Sequence, residues 1–173
     1  MKTCKEILFG RRAVRHYLPE APEPELVQEV LRAGLAAPSA HNLQPWRLIV
    51  VQSPQAREMI HPISVQPWFK TVPVYIVVVG NHDQAWHWND RSYSSVAIDT
   101  SIVCTQMWLR ATELGLGANW VCAFDQPLCH HLLGLAPNEE PVSIITLGHF
   151  DPEWRGREGN PKRKPQEELI SYL

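Results

Sequence analysis

Residues 74–79, Val-Tyr-Ile-Val-Val-Val, carry apolar side chains on both parities. A strand points successive side chains to opposite faces, so a strand apolar on both must be covered from both sides. The longest periodic stretch, residues 94–114, places Ile98, Ile102, Met107, Trp108, Ala111 and Leu114 at the spacing of a largely buried helix. Gly115 or Gly117 is placed to end it. Mixed helices and strands without a regular βαβ alternation indicate an α+β fold rather than a doubly wound sheet.

The other elements follow from their punctuation. Residues 25–36 read as a helix with Pro24 at its first turn, and 37–42, Ala-Pro-Ser-Ala-His-Asn, end it. Residues 46–51 read as a strand. Ser53-Pro54 supplies an N-cap and first-turn pair for a short helix through Met59. Residues 66–72 read as a loop, 119–123 as a short apolar stretch, 126–133 as a helix capped by Asp125, and 142–147 as a strand. From Phe150 to Pro165 the composition turns to Pro, Gly, Arg, Lys and Asp, a stretch expected to lie along another surface or stay mobile.

Composition excludes several function classes. The chain has 173 residues, 45% apolar and 20% charged, which suffices for one domain with a real core and does not read as disordered. Its formal net charge of -2 lacks the basic excess that nonspecific nucleic-acid binding requires. No apolar run approaches the ~20 residues that span a bilayer. The first six residues hold no apolar signal core, and Cys4, Cys104, Cys122 and Cys129 form no CxxC pair. A cytoplasmic chain with reduced thiols is therefore expected.

Arg11, Arg12 and Arg15 cluster near one end of the sequence and Lys162, Arg163 and Lys164 near the other. Guanidinium groups suit forked recognition of phosphate oxygens, although a solvated charge run is the commoner origin of such clusters. Neither is a P-loop, and no GxGxxG follows a strand. In Ala37-Pro38-Ser39-Ala40-His41-Asn42-Leu43-Gln44-Pro45-Trp46, small residues allow close approach to a flat ligand, and Asn42 and Gln44 offer donors and acceptors. A helix-ending turn with polar decoration accounts for the same residues.

Arg11-Arg12-Ala13-Val14-Arg15, the Ala37–Trp46 block, Glu113-Leu114-Gly115-Leu116-Gly117, Leu147-Gly148-His149 and Lys162-Arg163-Lys164-Pro165 occur in one order. Together they resemble the FMN-dependent nitroreductase family in its compact form, over nearly the whole chain. The resemblance implies a central, mostly antiparallel sheet flanked by helices, in an intertwined homodimer with two FMN at the subunit interface. Residues 1–173 would form a single domain, with the tail 150–173 packing on the partner subunit.

Carried over by position, Arg11, Arg12 and Arg15 would hold the FMN phosphate and ribityl chain, with Arg163 and Lys162 assisting. Pro38, Ser39, Ala40 and Asn42 would contact the flavin of the other subunit. Trp120, Val121, Cys122 and Ala123 would line the isoalloxazine, with the backbone N–H near Cys122 as donor to N5. The implied activity is NADH- or NADPH-dependent reduction of nitroaromatics, quinones or related small acceptors, by ping-pong hydride transfer through flavin N5 and with no catalytic side chain.

Two departures matter. The common R-x-S reads R-x-A here, so Ala13 brings no hydroxyl to the phosphate. Where larger relatives place a Lys near flavin N1 and O2, this chain offers Gln66 or Lys70. A flavin carrier without turnover, or a metal protein using His82, Asp83 and His87, are the rival readings. Against the metal reading, residues 81–90 read as a surface loop near the active site, in which Trp86 or Trp88 would be a stacking wall over the flavin's substrate face. Cys129-His130-His131 read as surface helix, Met107 and Trp108 as core, and Asp99 as a structural buried carboxylate with partners across the dimer.

Overall fold

Three short helices begin where a side chain accepts their first free backbone N–H groups. Thr3 and Glu6 form a reciprocal capping box for α1 (Cys4–Gly10), a helix absent from the sequence reading. Ser53 accepts from the Ala56 N–H at 3.2 Å to open α3 (Pro54–Ile60), and Asp125 accepts from the Leu128 N–H at 2.9 Å to open α5 (Gln126–Leu132). Between them lie α2 (Pro24–Leu35) and α4 (Val96–Glu113). The computed structural model describes residues 2–90, 92–151, 153–154 and 163–173.

The strands β1 (Trp46–Val51), β2 (Val74–Asn81), β3 (Gly117–Val121) and β4 (Glu139–Gly148) form one antiparallel sheet in the order β1-β2-β4-β3. Along β2, Val74, Ile76 and Val78 enter a core shared with α2 and α4, whereas Tyr75, Val77 and Val79 enter a second core beneath α3 and α5. All six are buried, as a strand apolar on both parities demands. The second core also takes Phe69, from a 3-10 turn at Pro67–Thr71 that replaces the expected loop; its backbone carbonyl accepts from the Tyr75 hydroxyl.

Strand β4 starts three residues earlier than its apolar run. Pro141 sits inside it beside a register shift between Val78 and Val79, a bulge where a missing N–H is tolerated. Strand β3 covers only residues 144–148 of β4, and the Gln126 side chain donates to the Pro141 carbonyl at 3.2 Å. Gly115, at φ +78°, turns α4 into β3. Gly34 lets α2 approach α4: a Cβ there would lie 2.7 Å from Met107 Cγ.

Residues 13–18 run beside β3. Ala13 bridges to Ala118, the Val14 N–H donates to the Ala118 carbonyl at 3.0 Å, and the Leu18 N–H donates to His149 at 2.9 Å. The buried Tyr17 hydroxyl pairs with Thr146 Oγ1 at 2.6 Å and donates to the Val14 carbonyl at 2.8 Å. Phe150 and Trp154 pack on this chain's own core, while residues 163–173 are exposed.

Two expectations need correction. Cys129 is fully buried, because its turn of α5 faces the sheet. Trp108 is only partly buried and borders the surface. Asp99 is buried as expected and has partners within its own chain.

Candidate functional site

The block after α2 is backbone under strain. His41, Asn42 and Gln44 have φ of 52°, 56° and 50°, a region costly for residues with a Cβ. Surrounding bonds hold it there. Ser39 Oγ accepts from the Gln44 N–H at 2.9 Å, and the Gln44 side chain donates to the Asn42 carbonyl at 3.1 Å. Asp99, 2% exposed on the first turn of α4, accepts from the Ala40 N–H at 3.0 Å and from the Ser95 hydroxyl at 2.7 Å. The carboxylate thus ties the block to the start of α4 and explains why a charge is tolerated inside: both oxygens are occupied. Pro38, Ser39 and Ala40 border an open pocket of about 330 Å³ lined also by Trp86, Tyr93 and Ile98.

The arginine segment is built differently. Arg11 caps α1 and lays its guanidinium 3.9 Å from the centre of the Trp108 ring. The Trp108 indole donates to the Arg12 carbonyl at 3.3 Å, fixing the backbone that carries Arg12 and Ala13. Partial burial, then the nearby Arg163 guanidinium, push the Arg11 pKa down. Positive charge from the two ends of the sequence is therefore felt at Arg11, and a concentration of like charge suits an anion with several oxygens. Arg12 and Arg15 are exposed on the same segment, and Lys162 lies outside the described residues.

At the end of β3, alternation separates the four candidates. Trp120 faces the core of α2 and α4, and Val121 is buried in the opposite core, leaving its backbone to meet a ligand. Cys122 and Ala123 follow, exposed. The Trp120 indole N–H is buried and, among the described residues, meets no acceptor better than the Cys122 sulfur. Partial burial raises the Cys122 thiol pKa, so it is not an activated thiolate. Gln66 is exposed before the 3-10 turn, as is Lys70 at its far end.

The structure does not gather all these residues within one chain. Asp99, which holds the 38–42 block, and Trp108, which carries Arg11, are nine residues apart on α4. That separation is two and a half turns, about 13 Å along the axis and on opposite sides of the helix.

Among the described residues no group of three His, Cys, Asp or Glu side chains is placed to hold a metal ion. His82 instead pairs with Glu140 at 2.8 Å, and Asp83 accepts from Asn138 at 3.0 Å. Among them, too, no helix is long and apolar enough to cross a membrane. Asp99 was legible as a structural buried carboxylate, but its hold on Ala40 was not, nor were the contacts of Trp108 with Arg11 and of His41 with Trp86. A lone acidic residue in an apolar helix was the one visible signal.

Known proteins resemble this arrangement closely. The profile of the nitroreductase family matches residues 8–70 and 64–149. A Thermus thermophilus protein named NADH dehydrogenase is 39% identical, with 98% of this chain and 95% of that protein aligned. A Bacillus subtilis protein, YdgI, provisionally named an NAD(P)H nitroreductase, is 40% identical over 83% of this chain and 86% of its own length. The crystal structure of a nitroreductase family protein from Clostridium difficile 630 superposes with a TM-score of 0.88 at 31% identity, covering 99% of this chain and 98% of that one. On this sequence match, with the antiparallel sheet and flanking helices it predicts, the chain belongs to the nitroreductase family.

Proposed function

We propose that this protein is a homodimeric FMN-dependent oxidoreductase that uses NADH or NADPH to reduce small acceptors such as quinones and nitroaromatics. The observation that carries the reading is the Arg11 guanidinium laid over the Trp108 ring, where it also feels the positive charge of Arg163 from the other end of the sequence. Guanidinium groups that repel one another are relieved by a multiply charged oxyanion, and the FMN phosphate is one. The names of the Thermus and Bacillus relatives supply the nicotinamide donor. A Clostridium difficile R20291 protein described as an FMN-dependent nitroreductase shares the fold, with a TM-score of 0.79 at 22% identity.

When bound, FMN supplies two-electron chemistry, taking hydride at N5 from the nicotinamide and returning it to an acceptor. The chain's own residues bind and orient. Arg11, Arg12, Arg15, Arg163 and Lys162 hold the phosphate and ribityl chain. The backbone of Val121 and Cys122 would border the ring, with the Cys122 N–H as the donor for N5, and Trp120 and Ala123 would complete that wall. Pro38, Ser39, Ala40 and Asn42 present a small, fixed surface to the flavin of the partner subunit. Gln66 is the amide available to the polar end of the ring. No side chain serves as a nucleophile.

The dimer is supported by geometry. The 38–42 block and the Arg11 guanidinium lie on opposite sides of α4, so only a second copy brings both kinds of surface to one ligand. Phe9, Leu169 and Tyr172 are 84%, 65% and 86% exposed, as apolar residues awaiting a covering surface would be.

Three measurements on purified protein test the reading. Reconstitution with FMN should give a flavin spectrum with one FMN per chain. Sedimentation should give twice the chain mass at micromolar concentration. NADH or NADPH should bleach the flavin, with sustained turnover on menadione. A colourless protein that refuses FMN refutes the proposal, and a flavin that is never turned over reduces it to a carrier.

A further inference from the structure

We propose that the paired segments 86–88 and 93–95 form the acceptor-selecting wall of the site, with Trp88 the side chain on which a planar aromatic acceptor stacks. The inference rests on the flavin reading above and deepens it. The segments are tied as a hairpin. The Trp88 N–H donates to Tyr93 at 3.2 Å, the Ser95 N–H donates to Trp86 at 2.9 Å, and His87 bridges to Ser94. The Trp86 N–H also donates to Ser95 Oγ at 3.2 Å.

This hairpin is locked to the strained block. Ser95 donates to Asp99, whose other oxygen holds Ala40, so one carboxylate registers the two against each other. Side chains repeat the connection. The ring of His41, held at positive φ, stacks on Trp86 with centroids 6.0 Å apart and planes 18° apart. Tyr93 meets Trp86 edge-on at 6.0 Å and Trp88 at 5.3 Å. Four rings thus run in a row from the cofactor-facing block outward, and the row ends at Trp88, 54% exposed.

Trp86 borders both the cavity beside Pro38, Ser39 and Ala40 and a neighbouring hollow of about 480 Å³ that includes Trp88. An exposed indole fixed by its own backbone pairing offers a flat apolar face at little cost in side-chain ordering. A planar aromatic guest gains from that face; an acceptor without a ring gains nothing. Trp88 is therefore the specificity-determining residue and Trp86 a positioning residue.

The test compares Trp88→Ala and Trp88→Phe with the parent protein after incubation with FMN. Menadione binding is read by calorimetry without nicotinamide. Turnover is read with menadione and with ferricyanide, which has no aromatic face. In W88A the menadione Kd and KM should both rise roughly fivefold. In W88F both should return to within about twofold, and in both variants the ferricyanide rate at saturating nicotinamide should stay within about twofold of the parent. Unchanged menadione affinity in W88A, or a parent protein that binds no menadione, overturns the proposal. So does a parallel fall with ferricyanide, which would make the hairpin merely structural. If the parent holds no FMN the flavin reading fails, yet calorimetry on that protein still decides whether Trp88 receives an aromatic ring.

Discussion

Residues 38–44 adopt three left-handed backbone conformations and are held there by a buried carboxylate, whereas residues 11–15 lie beside a strand and send long cationic side chains outward. The first segment is shaped before any ligand arrives. The second carries its charge on long side chains, without any such lock among the described residues. On the function proposed above, the contrast separates positioning a flat ring, which needs fixed backbone, from retaining a phosphate, which needs charge at the right end.

The sharpest way to break this comparison is Asp99→Ala. It strips the Ala40 N–H and the Ser95 hydroxyl of their shared acceptor, and should cost about 2–4 kcal/mol in urea unfolding. A loss below about 1 kcal/mol would show that the block keeps its shape without the carboxylate. Next comes Arg11→Ala, expected to weaken FMN affinity at least about tenfold by equilibrium titration. It should move folding stability by less than about 1 kcal/mol, since only the stack on Trp108 is lost. Equal damage to stability and affinity would erase the distinction between the segments.

Gln44→Gly should raise stability by up to about 1 kcal/mol, because glycine accepts a φ of 50° without strain. A destabilised variant would show that the Gln44 bond to the Asn42 carbonyl outweighs that strain.

The smallest effect lies outside both segments. Hydrogen bonds from Arg47 and from the Ala136 N–H hold Glu139 down at about 2, below its ordinary value of 4.5. A depressed carboxylate contributes stability above the unfolded pKa and loses it as pH falls through the folded one. Comparing urea midpoints at pH 6 and pH 3, Glu139→Gln should remove a pH-dependent contribution of under about 1 kcal/mol, since Arg47 is largely exposed.

Much of the fold was legible because its signals are local. Ser53-Pro54, Asp125, Gly115 and Gly134 mark element ends through capping or positive φ. The two-sided strand at 74–79 predicted its two cores. Helix α1 was missed although Thr3-x-x-Glu6 is a capping signature, and β4 was started late because Pro141 reads as a strand breaker unless the bulge opposite is known.

The candidate site was legible as residue types and not as relations. Nothing local reveals that Asp99 would reach Ala40 across 59 positions, or that His41 would stack on Trp86. Alternation along β3 hides the Val121 side chain while leaving its backbone in play. That consequence follows only once the strand's partners are known.

The bulge at Pro141 also guards the sheet. Strand β3 stops short, so residues 139–143 of β4, with Pro141 itself buried, have no strand partner on that side among the described residues, a border where another chain could otherwise extend the sheet. There the imino ring offers no hydrogen to a visiting strand, and the Gln126 amide already engages the oxygen. Replacing Pro141 with an ordinary residue would restore a donor to that border, and the first symptom should be slow precipitation on storage with initial activity intact.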